Sequence, residues 1–117
     1  MPLALDDFTK TKVTRAIEAF FDKRVPAHVR DQVKMHVEFH GTNATLFEDR
    51  PPWRDPNEDW THMPVAQFRL DQKSKNWTLY CCDRNGKWHL YEPKLSTTSF
   101  EMLIHEVYLD PTGIFWG

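Results

Sequence analysis

The chain is 117 residues long, with 15 Lys and Arg against 17 Asp and Glu, a formal net charge of −2, and 14% aromatic residues. That mix excludes a disordered or collagen-like chain, and the near-balanced charge argues against a partner held mainly by attraction to phosphate. No apolar run approaches the roughly 18 residues that a membrane span needs, and the length points to one domain over residues 1–117.

Taken in chain order, residues 8–24 read as a helix. Val13, Ala16, Ile17, Phe20 and Phe21 fall on one helical face, Asp6 or Asp7 can cap the start, and Pro26 stops it. Val33, Met35, Val37 and Phe39 then alternate with Lys34, His36, Glu38 and His40, the pattern of a half-buried strand. A turn at Gly41-Thr42 returns the chain through Ala44–Glu48, with Leu46 pairing near Val37. Residues 64–70 alternate again. Residues 76–83 and 87–92 form a second hairpin, whose Asn85-Gly86 step predicts a two-residue turn pairing Tyr80 with Tyr91, Cys82 with His89 and Cys81 with Leu90. Thr98-Ser99-Phe100-Glu101 fits a capping box for a short helix with an apolar stripe of Phe100, Leu103, Ile104, Val107 and Tyr108. The closing Ile114-Phe115-Trp116-Gly117 is too apolar for a free tail, so its three large side chains are expected to pack.

Consecutive strands between terminal helices predict an α+β fold: an antiparallel sheet of about five strands flanked by an N-terminal and a short C-terminal helix. Two helices can cover one sheet face. The other face, with apolar groups on both sides of the second hairpin, calls for cover by a loop, the C-terminus or a second copy in a two-fold dimer.

Residues 49–63 are the unusual segment, a long Pro-rich stretch with Trp53 and Trp60. Long loops in small domains are often functional, and Pro51-Pro52 would present Trp53 with little entropy left to lose. Phe47-Glu48-Asp49-Arg50-Pro51-Pro52-Trp53, the Gly86-Lys87-Trp88-His89-Leu90-Tyr91-Glu92-Pro93 block and the terminal Phe115-Trp116-Gly117 resemble a family of short bacterial proteins catalogued only as a domain of unknown function. The resemblance implies a bacterial, soluble, single-domain protein and carries no activity, cofactor or catalytic residue with it.

Candidate chemistry is sparse. His36, Glu38 and His40 share one strand face and could ligate zinc, but they are also simply the solvated half of an alternating strand. Asp83 and Glu92 stand too far apart along the hairpin for a two-metal site. Cys82 opposite His89 could pair as thiolate and imidazole, against the plainer reading of a buried structural cysteine. No Gly-rich phosphate loop exists. Hence no catalytic residue, no metal ligand and no cofactor is expected, and a metal- or thiol-dependent enzyme is the weakest class. The leading expectation is a protein-binding module using the 49–63 loop and the 76–92 hairpin, through Arg50, Trp53, Arg54, Trp60, Trp88, His89 and Tyr91. The alternative is single-stranded nucleic acid on the same Arg/Trp surface, although Asp49, Asp55, Glu58 and Asp59 would repel phosphate. The N-terminal residues Met1–Asp7 lack the basic start and apolar core of a secretion signal. The adjacent Cys81 and Cys82 would point to opposite strand faces and make poor disulfide partners. A cytoplasmic location with no membrane partner is therefore expected.

Overall fold

The computed structural model describes residues 4–29, 32–52, 54–93 and 96–116. Helix α1 spans Asp7–Arg24, a single 3-10 turn covers Ala27–Val29, and the strands are β1 (Lys34–His40), β2 (Asn43–Arg50), β3 (Thr61–Asp71), β4 (Asn76–Cys82) and β5 (Trp88–Leu90). Helix α2 (Phe100–Leu109) follows. The strands form one antiparallel meander in the order β1-β2-β3-β4-β5, so the expected α+β architecture is the observed one.

Both helices start where side chains satisfy their first amides. The Asp6 carboxylate accepts from the Thr9 amide at 2.7 Å, and the Ser99 hydroxyl accepts from the Met102 amide at 3.3 Å. The second cap is thus Ser99, one residue later than the Thr98 box suggested. Val13, Ile17 and Phe20 of α1 and Phe100, Leu103, Ile104 and Val107 of α2 are buried with Ala44, Leu46, Ala66, Phe68 and Leu79 of the sheet. Residues directly opposite in adjacent antiparallel strands share a face, and Ala44, Phe68 and Leu79 form such a row under the helices. The C-terminal residues close the core from outside. Phe115 is buried against Tyr91 with ring centres 5.0 Å apart. Trp116 stacks on Phe20 at 5.9 Å and donates its indole N–H to the Val107 carbonyl. Asp110, in the left-handed conformation that ends α2, holds this tail by accepting from the amides of Phe115 and Trp116. Ile114 departs from expectation and stays 50% exposed.

Two differences from the sequence reading shape the surface. First, the turn of the β4–β5 hairpin has three residues, Arg84-Asn85-Gly86, with Gly86 in the left-handed region at φ +81°. The Asp83 carboxylate accepts from the amides of Asn85 and Lys87, which stabilises the longer turn over a two-residue one. The register therefore slips by one: Tyr80 faces Leu90, Cys81 faces His89 and Cys82 faces Trp88. Second, the long loop is shorter than expected. β2 runs on to Arg50 and β3 begins at Thr61, before Pro64. Proline is tolerated in this inner strand because the ladder is irregular there. Leu46 faces Ala66 while Phe47 faces Pro64, and the β3–β4 ladder starts only at Ala66, opposite Cys81.

Segments 34–36, 47–50 and 61–64 consequently run past the end of β4 as a three-stranded arm. Among the described residues, none between 47 and 64 joins the apolar core, and Met63 is 60% exposed.

Candidate functional site

In a meander every second connection lies at the same end of the sheet. The β2–β3 loop (51–60), the β4–β5 turn (84–86) and the start of β1 therefore point to the same end of the sheet, the turn at the root of the arm and the loop at its tip. Trp60 is half-buried, with the Lys34 ammonium 4.8 Å from its ring centre, a cation–π contact that fixes the indole at the root of the loop. Arg50 donates from Nε to Glu48 at 2.7 Å and stays largely exposed. The described carboxylates of the loop are Asp55, Glu58 and Asp59, and Asp55 accepts from the Asn57 amide. A depression between Gln32, Arg50, Pro52, Glu58 and Asp59 opens beside them.

The residues expected to form one contact surface are only partly together. Arg50, Arg54 and Trp60 belong to the loop and its flanks, while Trp88 and His89 start β5 at the same sheet end. Trp53 lies outside the described residues. Tyr91 does not reach the surface: it is 2% exposed, its amide donates to the Leu79 carbonyl, and its hydroxyl donates to Glu106 at 2.7 Å. Burial, followed by that carboxylate, pushes its phenol pKa up to about 12. The one-residue register slip is what turns Tyr91 inward and leaves Leu90 51% exposed.

The slip also separates the expected thiol–imidazole pair. His89 Nε2 meets the Asp83 carboxylate at 2.7 Å, and the Cys82 thiol donates to the Asp83 carbonyl. Burial, reinforced by Asp83, raises the pKa of both Cys81 and Cys82, so neither thiol is activated as a nucleophile.

The face away from the helices carries cross-strand polar rows. Arg69 donates to Gln67, Gln67 donates to Thr45, and the Arg69 guanidinium lies 3.8 Å from the Tyr80 ring centre. This face is more polar than the sequence reading supposed. Toward the arm it holds a second group. Asp49, buried at 7% exposure, meets His36 Nδ1 at 2.5 Å with one oxygen and His62 Nδ1 at 2.6 Å with the other. The Glu38 carboxylate meets Nε2 of His36 at 2.8 Å, and the Phe47 ring stacks on His36 with centres 4.9 Å apart. Burial works against a charge on His36, but Glu38 and Asp49 outweigh it and raise the imidazole pKa above its ordinary value. One ligand atom each from His36, Asp49 and His62 lie within 4.8 Å of one another.

Asp49 and His62 escaped the sequence reading, which grouped His36 with Glu38 and His40. His40 is 75% exposed and lies 3.9 Å from Glu38. Extending the Val37–Leu46 pairing would have placed Asp49 opposite Lys34, diagonal to His36. No local signal places His62, because the β2–β3 loop hides the register.

Among the described residues, no helix is long and apolar enough to cross a membrane. The family model described as "Domain of unknown function (DUF3024)" matches residues 5–117. Neither a curated protein nor a solved structure matches the chain.

Proposed function

The chain belongs to the DUF3024 family, and from that premise we propose that residues 1–117 fold as one domain that binds a protein partner through its arm end and performs no chemistry. The observation that carries the reading is the division of the molecule. The 51–60 loop lies at the tip of an arm whose described residues, 47 to 64, contribute nothing to the apolar core, and the 84–86 turn points to the same end of the sheet. Trp60 is already held by Lys34, so little side-chain freedom is left to lose on association. Asp55, Glu58 and Asp59 alternate here with Lys34, Arg50 and Arg54, so the surface suits a partner segment of mixed charge around an apolar anchor better than a phosphate backbone. A two-fold dimer of this chain is the second reading, favoured by Leu90, half-exposed opposite Tyr80 on the open face.

The test is affinity capture from native lysate. A protein should be retained by the wild-type chain and by Lys12→Ala on α1, and retained at least about ten-fold less by Trp60→Ala, as for an interface anchor. Retention of nucleic acid that falls steeply with salt would replace the protein partner. A doubled mass in light scattering at tens of micromolar would replace it with a second copy.

A further inference from the structure

We propose that His36, Asp49 and His62 form a binding site for one divalent transition-metal ion, with zinc as the reference ion. The inference departs from the sequence-based expectation of no metal ligand. It also stands apart from the protein-binding reading, because it rests on the open sheet face and not on the loop.

The three donors come from three hydrogen-bonded strands: His36 from β1, Asp49 from β2 and His62 from β3. Asp49 and His62 face each other directly in the ladder, and His36 stands diagonal to Asp49. The backbone therefore sets the donor positions before any ion arrives, which is what a preformed site requires. The donor atoms already lie within 4.8 Å of one another. A tetrahedral zinc site with Zn–N and Zn–O bonds of about 2.0–2.1 Å needs them about 3.3 Å apart, so the two imidazole–carboxylate contacts, now 2.5 and 2.6 Å, must open by under about 1 Å to admit the ion, a change within reach of side-chain torsions.

The surroundings of His36 are a second, independent observation. A metal-bound imidazole commonly donates its other ring N–H to a carboxylate, which fixes the tautomer and makes the ligand nitrogen a better donor. His36 has this arrangement: Nδ1 faces Asp49 while Nε2 lies 2.8 Å from Glu38. Phe47, stacked nearly parallel at 6°, holds the ring plane. His62 stands edge-on to His36 at 90°, so the two Nδ1 atoms converge on one carboxylate.

The donor set selects the class of ion. Two imidazole nitrogens and one carboxylate oxygen suit zinc, cobalt, nickel or copper, whereas magnesium and calcium favour all-oxygen shells. Three protein ligands leave a fourth position of a tetrahedral ion for water or an outside donor. The His62 side chain is 55% exposed, which gives the ion an entry path. Bound there, the ion would cross-link all three strands of the arm.

The test is calorimetric titration of zinc sulfate into the full chain after chelator treatment, with cobalt absorption as a spectroscopic readout. One zinc per chain is expected, along with a visible cobalt band of low coordination number. His62→Gln, whose half-exposed site keeps the fold safe, and Asp49→Asn should each weaken zinc binding by more than about ten-fold, with unchanged circular dichroism for His62→Gln. Glu38→Gln should weaken it by about 10- to 100-fold, the usual cost of losing a carboxylate behind a ligand histidine. His40→Gln and His105→Gln on α2 should leave it unchanged. Absence of stoichiometric zinc binding would overturn the site, as would full affinity in His62→Gln or a loss caused by His40→Gln.

Discussion

The helix-covered part of the sheet and the arm are built from the same strands but held together differently. Under α1 and α2, the rows Ala44–Phe68–Leu79 and Leu46–Ala66–Cys81 exclude water, and burial of apolar area dominates. In the arm the chain pairs side chains by charge and hydrogen bond: Glu48 with Arg50, Asp49 with His36 and His62, and Lys34 with Trp60. Among the described residues no buried side-chain nitrogen or oxygen lacks a partner, so the buried Asp49 carries no unsatisfied group. The first region specifies the fold. The second can present polar groups because, among its described residues, Met35 alone packs against the apolar core.

Core truncation gives the largest contrast between the two regions. Phe68→Ala, at a fully buried side chain in the central strand, should cost about 3–5 kcal/mol in chemical denaturation. Met63→Ala, at a similarly inner position of the arm but 60% exposed, should cost under about 0.5 kcal/mol. Comparable losses at the two sites would erase the distinction.

A smaller effect sharpens the boundary of the core at Tyr91. Burial and the Glu106 carboxylate hold its phenol pKa at about 12 in the folded chain, above the ordinary value of 10.0. The raised pKa means the folded state favours the neutral phenol. Its contribution to stability is therefore complete below the unfolded value and fades as pH rises from about 10 to about 12. Tyr91→Phe should remove that part of the alkaline loss, together with about 1 kcal/mol from the hydrogen bond to Glu106. An identical alkaline unfolding profile for the two chains would place Tyr91 in water.

The same division explains what could be read from the sequence. β1 was legible from its alternation, and Val37 does face Leu46, because one face is buried and a one-residue slip would invert it. The two helices were legible from their apolar faces, and α1 also from its Asp6 cap, whereas the α2 cap falls on Ser99, one residue past the Thr98 that the box pattern marks. The β4–β5 register was not, because the Asn-Gly signal does not reveal that Asp83 will cap a turn one residue longer. That single residue decided whether Tyr91 belonged to a surface or to the core. The β3 start was hidden by Pro64, which reads as a strand breaker until the irregular pairing at Leu46 and Phe47 is known. The His36–Asp49–His62 group was hidden for a related reason: its members are separated by 13 residues at each step and meet only through two strand registers.

Native-state hydrogen exchange tests the two-region description most directly. Amides of Phe68 and Leu79 are expected to exchange only through global unfolding, with opening free energies that fall together when Phe68 is truncated. Amides of Glu48 and Met63 in the metal-free chain are expected to exchange through smaller local openings that the Phe68→Ala substitution leaves unchanged. Arm amides that exchange at the global rate, and shift in step with the core, would contradict the separation on which the functional assignment of the arm depends.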